Sequence, residues 1–271
     1  MIKNLDQNGF KSIIDEYDLF FIDIWGVIHN GIELNFGSVN VLDNIAKNNK
    51  KFVLLTNAPR PNKTVRNFLL KMGLNNYLDN VYTSGEAALN YLASDFSYKK
   101  FFHIGPPKDF DLFVKLNKQK VNNIKDADYI LCTGLFENYE DNLDYYENLM
   151  KNETQKKMIC TNPDLVVDRG DKREYCAGTI ANIFQNMDGE VIYFGKPYAP
   201  VYNLSTNINT KKILCIGDNL NTDIKGANEQ GFDSLLITSG IHSKEILDKN
   251  IDSLLNIYGV EINYSQTNLK W

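Results

Sequence analysis

A series of short apolar runs decides what this chain can fold into. They are Leu19–Ile24, Phe52–Thr56, Val81–Thr83, Phe101–Ile104, Tyr129–Thr133, Met158–Thr161, Val191–Phe194, Ile213–Ile216 and Leu235–Thr238. Several are almost continuously apolar, as a strand buried on both faces must be. Amphipathic stretches separate them. Pro61 and Asn62 open one that closes at Gly73, Ser84 caps another running through Ala87, Ala88 and Leu92, and a third starts near Thr222 and ends near Gly231. This alternation predicts an α/β fold with a mainly parallel sheet.

With 271 residues, 43% of them hydrophobic, the chain can bury a sizeable core as one large domain or two moderate ones. The formal net charge is -5, and Lys and Arg are scattered, so the overall field attracts no nucleic acid. The densest basic run, Lys115, Lys118 and Lys120, is expected to be a solvated helix face. Cys132, Cys160, Cys176 and Cys215 form no C-x-x-C pair, and three of them sit in strand-like runs, so buried free thiols are expected. A zinc site is not expected, because none of the three histidines lies near a cysteine. Met1 to Phe10 is polar, with no signal-peptide core, and the longest apolar run, Leu19 to Ile28, is too short to cross a bilayer. A soluble cytoplasmic protein with no membrane partner is the expectation. The tail from Asn263 is polar and is expected to fray, with Trp271 docking back as the alternative.

Polar residues of a particular kind stand at the ends of four of the runs. Asp23 lies within Phe21-Ile22-Asp23-Ile24-Trp25-Gly26-Val27, where a carboxylate is costly unless paired or bound to metal. Thr56-Asn57 follows the second run, and Gly195-Lys196-Pro197 follows Val191–Phe194. Cys215-Ile216-Gly217-Asp218-Asn219 leads into Thr222-Asp223. Open α/β sheets bind ligands at the carboxyl ends of their strands, so folding should gather Asp23, Thr56, Lys196 and Asp218. Carboxylates suit a hard cation, lysine supplies a point charge for phosphate, and backbone N–H groups after strands can finish the cradle.

These residues resemble, in order, the four motifs of the haloacid dehalogenase (HAD) superfamily, and in particular its class IIA, NagD-like branch. Thr56-Asn57-Ala58-Pro59-Arg60, Thr161-Asn162-Pro163-Asp164, Tyr193-Phe194-Gly195-Lys196-Pro197 and the stretch Gly217 to Ala227 carry the likeness, which spans roughly Asp18 to Gly240. The resemblance implies a Rossmann-like core (1–84 plus 191–271) with an inserted α/β cap domain (85–190). It implies a Mg²⁺-dependent phosphatase of small phosphorylated metabolites. Asp23 would be the nucleophile, and Asp23, the Trp25 carbonyl, Asp218 and Asp223 the metal ligands. Thr56, Asn57 and Lys196 would bind phosphate, with Trp25 and Gly26 beside it. The family's cap helps choose the substrate and often forms a dimer contact, which would make this chain a homodimer. Arg60 fits either an anionic substrate or a surface ion pair. Asn162 and Asp164 fit either a cap signature or an ordinary Asn-Pro-Asp turn.

The chain departs from the family at Trp25, where its phosphatases carry a second aspartate as general acid and base. An indole cannot do that work. His29 could supply the proton, the substrate could have a good leaving group, or turnover could be slow and binding the point. Trp25 itself fits either stacking on a substrate ring or core packing. A metal-free dehalogenase also lacks the second aspartate, and a binding or regulatory protein is the remaining alternative. Asp218 and Asp223 count against the former, and persistence of a nucleophile against the latter.

Overall fold

The computed structural model describes residues 2–169 and 172–271. Its strands, in chain order, are β1 (Lys3–Asn4), β2 (Leu19–Ile22), β3 (Lys51–Thr56), β4 (Val81–Thr83), β5 (Phe101–Ile104), β6 (Lys120–Val121) and β7 (Tyr129–Cys132). There follow β8 (Lys157–Cys160), β9 (Val166–Arg169), β10 (Lys172–Tyr175), β11 (Glu190–Tyr193), β12 (Ile213–Gly217), β13 (Asp233–Ile237) and β14 (Tyr264–Gln266). The chain divides into two compact units. Met1–Thr56, Arg66–Tyr82 and Tyr202–Trp271 make the first, and Asn57–Val65 with Thr83–Val201 the second.

The first unit is built on a seven-stranded sheet of order β1-β14-β13-β12-β2-β3-β4. Pairing is parallel from β1 through to β3. Every residue of β2 and of β12 is buried, which explains their unbroken apolar sequences. The helix Phe36–Lys47 starts where the Asn35 side chain accepts from the N–H groups of Gly37 and Ser38, and it buries Val41, Leu42 and Ile45. The helix Ile251–Tyr258 places Leu254 and Leu255 in a cluster with Leu220, Ile224 and Leu236. Each such side chain contributes about 1.5–3 kcal/mol through burial. From β2 the chain steps outward to β3, whereas β12, β13 and β14 step outward on the other side. Strand order therefore reverses between β2 and β12, which pair in register Ile22↔Ile216.

The expected fraying of the tail is not what the structure shows. β14 lies between β13 and β1, all three of its residues are buried, and Leu269 is fully buried beyond it. The strand looked too polar for this because its amides are satisfied internally. Gln266 Nε2 donates to the carbonyls of Leu5 (3.3 Å) and Lys270 (3.2 Å), and its Oε1 accepts the Lys270 N–H (3.2 Å). The Trp271 ring lies 6.4 Å from that of Phe10, so the docking alternative holds.

The second unit carries a five-stranded parallel sheet of order β11-β8-β7-β5-β6 and a separate antiparallel pair, β9 with β10. The helices Leu143–Met150 and Ala177–Asn186 bury Tyr146, Met150, Ile180 and Phe184 in a cluster with Ile130, Cys132, Met158 and Cys160. All four cysteines are buried and free, and burial pushes the Cys132 thiol up to about 12. The run at Val191–Phe194 belongs to this sheet, pairing with β8 in register Tyr193↔Cys160. The expected boundaries at 84/85 and 190/191 thus fall inside the second unit, which extends to Val201. Apolar character marks a strand but not the sheet it joins.

Two helix starts also differ from expectation. Thr83, not Ser84, caps the helix Ser84–Asp95, accepting from the Glu86 N–H. The Ser84 hydroxyl instead donates to the carbonyls of Thr161 (2.6 Å) and Ala58 (3.1 Å). The helix expected from Thr222 begins as a π-helical turn, Leu220–Ile224, before the α-helix Lys225–Gln230 and its left-handed Gly231.

Candidate active site

In the first unit, Asp23 follows β2 directly, and its N–H donates to the Ile216 carbonyl (2.8 Å), holding it beside β12. Asp218 follows the end of β12, and Asp223 lies on the π-helical turn. All three are buried, and each offers a carboxylate oxygen within 4.8 Å of the other two. Asp218 Oδ2 accepts the Ile241 N–H (2.9 Å), and Asp223 Oδ2 accepts the Asn219 N–H (3.1 Å).

Glycines make this clustering possible. A Cβ on Gly26 or on Gly240 would run into the Asp218 carboxyl, and one on Gly217 into that of Asp223. Gly26 also has φ +88, a conformation that side chains resist. Buried carboxylates this close repel one another, so the arrangement calls for positive charge. Hard oxygen donors of this kind suit a divalent cation such as Mg²⁺, and the residues present therefore fit one. Among the described residues no other group of His, Cys, Asp and Glu meets the same criterion.

Trp25 and His29 belong to the loop after this strand end. The Trp25 indole packs edge-on to His29 (5.0 Å between ring centroids), and a Cβ on Gly31 would lie 2.8 Å from its Cζ2. Loop packing thus occupies the indole. His29 Nδ1 accepts the Gly31 N–H (2.8 Å), and its ring also contacts Phe68 (5.4 Å). Burial pulls its pKa down to about 4. His29 is therefore neutral near pH 7, with one ring nitrogen engaged, which disfavours it as the replacement general acid.

In the second unit, the buried Asn57 side chain meets the backbone of Lys196, whose own side chain is also buried. Lys196 N–H donates to Asn57 Oδ1 (2.7 Å), and Asn57 Nδ2 donates to the Lys196 carbonyl (3.0 Å) and to Asp164 Oδ1 (3.1 Å). Asn162 Oδ1 accepts the Asp164 N–H (3.0 Å), which is the turn chemistry of Asn-Pro-Asp. Arg60 forms an ion pair with the buried Asp109 (2.6 Å), the alternative to holding an anion. In the first unit, Thr56 is the buried last residue of β3.

Sequence reasoning missed the Asn57 side chain as a link to Lys196 and Asp164, since their separations in the chain carry no periodic signal. It also missed Gly240, which stands far from the motif it supports. Gly195 and Gly217 were legible in principle, each standing immediately before a polar residue singled out for chemistry.

Comparison with known proteins bears on both halves. The family described as haloacid dehalogenase-like hydrolase matches residues 20–118, and the one described as HAD-hydrolase-like matches residues 193–256. The chain belongs to the haloacid dehalogenase-like hydrolases. The two matches take in Asp23, Thr56, Asn57, Lys196, Asp218 and Asp223, and the family likeness is to the NagD-like class IIA branch. Phosphoglycolate phosphatase 2 of Arabidopsis thaliana is 26% identical over 280 residues, covering 90% of this chain and 91% of its own. The 4-nitrophenylphosphatase of Schizosaccharomyces pombe is 23% identical, with 95% and 96% covered. The crystal structure of a haloacid dehalogenase-like hydrolase from Brucella suis 1330 superimposes with a TM-score of 0.82 at 28% identity, covering 96% of this chain and 98% of that one. No helix among the described residues is long and apolar enough to cross a membrane.

Proposed function

We propose that the protein is a Mg²⁺-dependent phosphoric monoester hydrolase of small phosphorylated metabolites, working through an aspartyl-phosphate on Asp23. The observation that carries this reading is the cluster of Asp23, Asp218 and Asp223 at the point where strand order reverses. The relatives named for phosphoglycolate and 4-nitrophenyl phosphate support the substrate class.

A carboxylate oxygen of Asp23 attacks phosphorus, the bond from phosphorus to the ester oxygen breaks, and the leaving group departs as an alkoxide or phenolate that takes its proton from solvent water. Water then attacks the aspartyl-phosphate, freeing inorganic phosphate and restoring Asp23. Asp23, Asp218, Asp223 and the Trp25 carbonyl would hold the metal, which when bound offsets the negative charge of the phosphoryl group. The Ile241 and Asn219 N–H groups orient the carboxylates of Asp218 and Asp223 for this task. By the family's motifs, Thr56, the Asn57 N–H and the backbone at Gly26 would hold phosphoryl oxygens, and Lys196 would counter the charge that keeps the substrate from Asp23. The contacts of Arg60, Asn162 and Asp164 favour structural roles for all three. The second unit, in which residues 85–190 lie, would act as the cap that selects substrate, and through it the chain would form a homodimer.

Trp25 shapes the chemistry. General acid and base catalysis is worth about 10²–10⁴ in rate, and neither Trp25 nor His29 supplies it. Substrates with good leaving groups, such as acyl or phenolic phosphates, are therefore turned over best. The same feature favours a second reading, a slow enzyme whose role is ligand binding. A metal-free dehalogenase is disfavoured, because halide displacement has no use for clustered carboxylates.

The test is hydrolysis of p-nitrophenyl phosphate with and without Mg²⁺, beside Asp23→Asn. Metal-dependent turnover that the variant lacks supports the phosphatase. Turnover that survives EDTA points to the dehalogenase, and none under any condition points to the binding protein.

A further inference from the structure

We propose that Asn57 is a positioning residue for Lys196, its side-chain amide clamping the lysine's backbone so that the ammonium is aimed. The proposal rests on the phosphatase reading for what Lys196 does, and on contacts within the second unit for how it is held.

A lysine carries its charge on a flexible four-carbon stem, so where the charge sits depends on how firmly its Cα–Cβ bond is directed. Asn57 bonds to both peptide groups flanking that bond. It accepts the Lys196 N–H at 2.7 Å and donates to the Lys196 carbonyl at 3.0 Å. Two bonds to one residue span both of its backbone dihedrals. The second amide hydrogen goes to Asp164 Oδ1 (3.1 Å), and the Asp164 backbone is tied to Asn162. This settles which way the amide points, since a flip would set its oxygen against two acceptors. Asn57 and Lys196 are each only 4% exposed, so water scarcely competes for these bonds.

The neighbouring backbone is shaped around the clamp. Gly195 has φ +119, and a Cβ there would lie 2.6 Å from Asn57 Oδ1 and 2.6 Å from Pro163 Cδ. Gly178 admits the Pro163 and Asp164 carbonyls just as closely. Two separated stretches, Pro163-Asp164 and Gly195-Lys196, thus meet on the Asn57 amide. A backbone N–H at position 57 needs no particular side chain for phosphate binding, whereas this clamp needs a planar group with one acceptor and two donors.

The experiment is a double-mutant cycle of Asn57→Ala and Lys196→Ala, read both as kcat/KM on p-nitrophenyl phosphate and as affinity for orthophosphate by calorimetry. Asn57→Ala should lower kcat/KM on the order of 10²-fold, the cost of a misplaced group, and should weaken orthophosphate binding. In the Lys196→Ala background the same change should be nearly silent. Hydrogen exchange at the Lys196 amide should rise about tenfold or more in Asn57→Ala. Equal losses in both backgrounds, or unchanged exchange at Lys196, would overturn the proposal. If Asn57→Ala does not fold, as judged by thermal unfolding, Asn57→Ser takes its place in the cycle. A wild type that binds orthophosphate but turns over no phosphomonoester would sink the phosphatase reading instead, and the binding cycle and the exchange would still decide the role of Asn57.

Discussion

Replacing Asp23 by Asn should make the metal-free protein more stable while abolishing its activity. Asp23, Asp218 and Asp223 offer carboxylate oxygens within 4.8 Å of one another. At an effective dielectric of about 20, each pair of full charges at that separation repels by about 3.5 kcal/mol. Asp23→Asn removes two of the three pairs and keeps the volume, so the repulsion relieved is about 7 kcal/mol before relaxation. Nearby N–H donors and local adjustment already absorb much of that strain. A net gain of about 1–3 kcal/mol is the expected result, which for a chain of this size raises the melting temperature by several degrees. The assay is thermal unfolding of wild type and variant in EDTA and in millimolar Mg²⁺. In EDTA the variant should melt higher. Adding Mg²⁺ should raise the wild type more than the variant, because ligand stabilisation follows affinity. A variant that melts lower than wild type in EDTA, with an equal Mg²⁺ shift in both, would refute the view that the three carboxylates form one electrostatic unit.

Trp25→Asp should raise turnover of alkyl phosphates by about 10²-fold if the missing proton donor limits rate, and should lower the melting temperature through lost packing on His29 and Gly31. Unchanged kcat in a folded variant would show that another step limits. His29 titrates near 4 in the fold against an ordinary 6.5. The unfolded chain therefore takes up that proton first, and stability present above pH 6.5 is lost as pH falls towards 4, by about 3 kcal/mol. Urea unfolding of wild type and His29→Gln across that window should show a flatter dependence in the variant; parallel curves would refute the assignment. Removing Leu269, Lys270 and Trp271 should cost about 2–5 kcal/mol, because Leu269 is fully buried and Lys270 holds Gln266 on both sides. Denaturant titration of the truncated chain would reveal this, and an unchanged midpoint would show the tail to be dispensable.

The strands were legible because burial on both faces writes itself as unbroken apolar sequence, as in Leu19–Ile22 and Ile213–Gly217. The acidic cluster was legible for the converse reason, since Asp23 interrupts such a run at a cost that calls for a partner charge or a bound cation. Strand membership was not. Glu190–Tyr193 looks like a core strand, yet its partner is Lys157–Cys160, and pairing is settled by geometry far along the chain. Nor was β14, whose Ser265 and Gln266 look like tail residues until their partners are in view. His29 had the right residue type and the right neighbourhood for proton transfer. Only its burial and its bond to Gly31 show that it has been committed elsewhere.

The edge strand β1 has a consequence for how the chain comes to be folded. Among the described residues its one sheet neighbour is β14, and Asn4 meets Ser265 across a separation of 261 residues. A ribosome delivers β1 early, when its partner does not yet exist. The segment must stay unplaced until residues 264–266 have emerged. Long-range pairing of this sort is slow, because the ends of a very large loop must find each other. During that wait the vacant edge of β14's site is open to strands from other chains. The shortness of β1, and the lysine at its start, limit how well any stranger could imitate it.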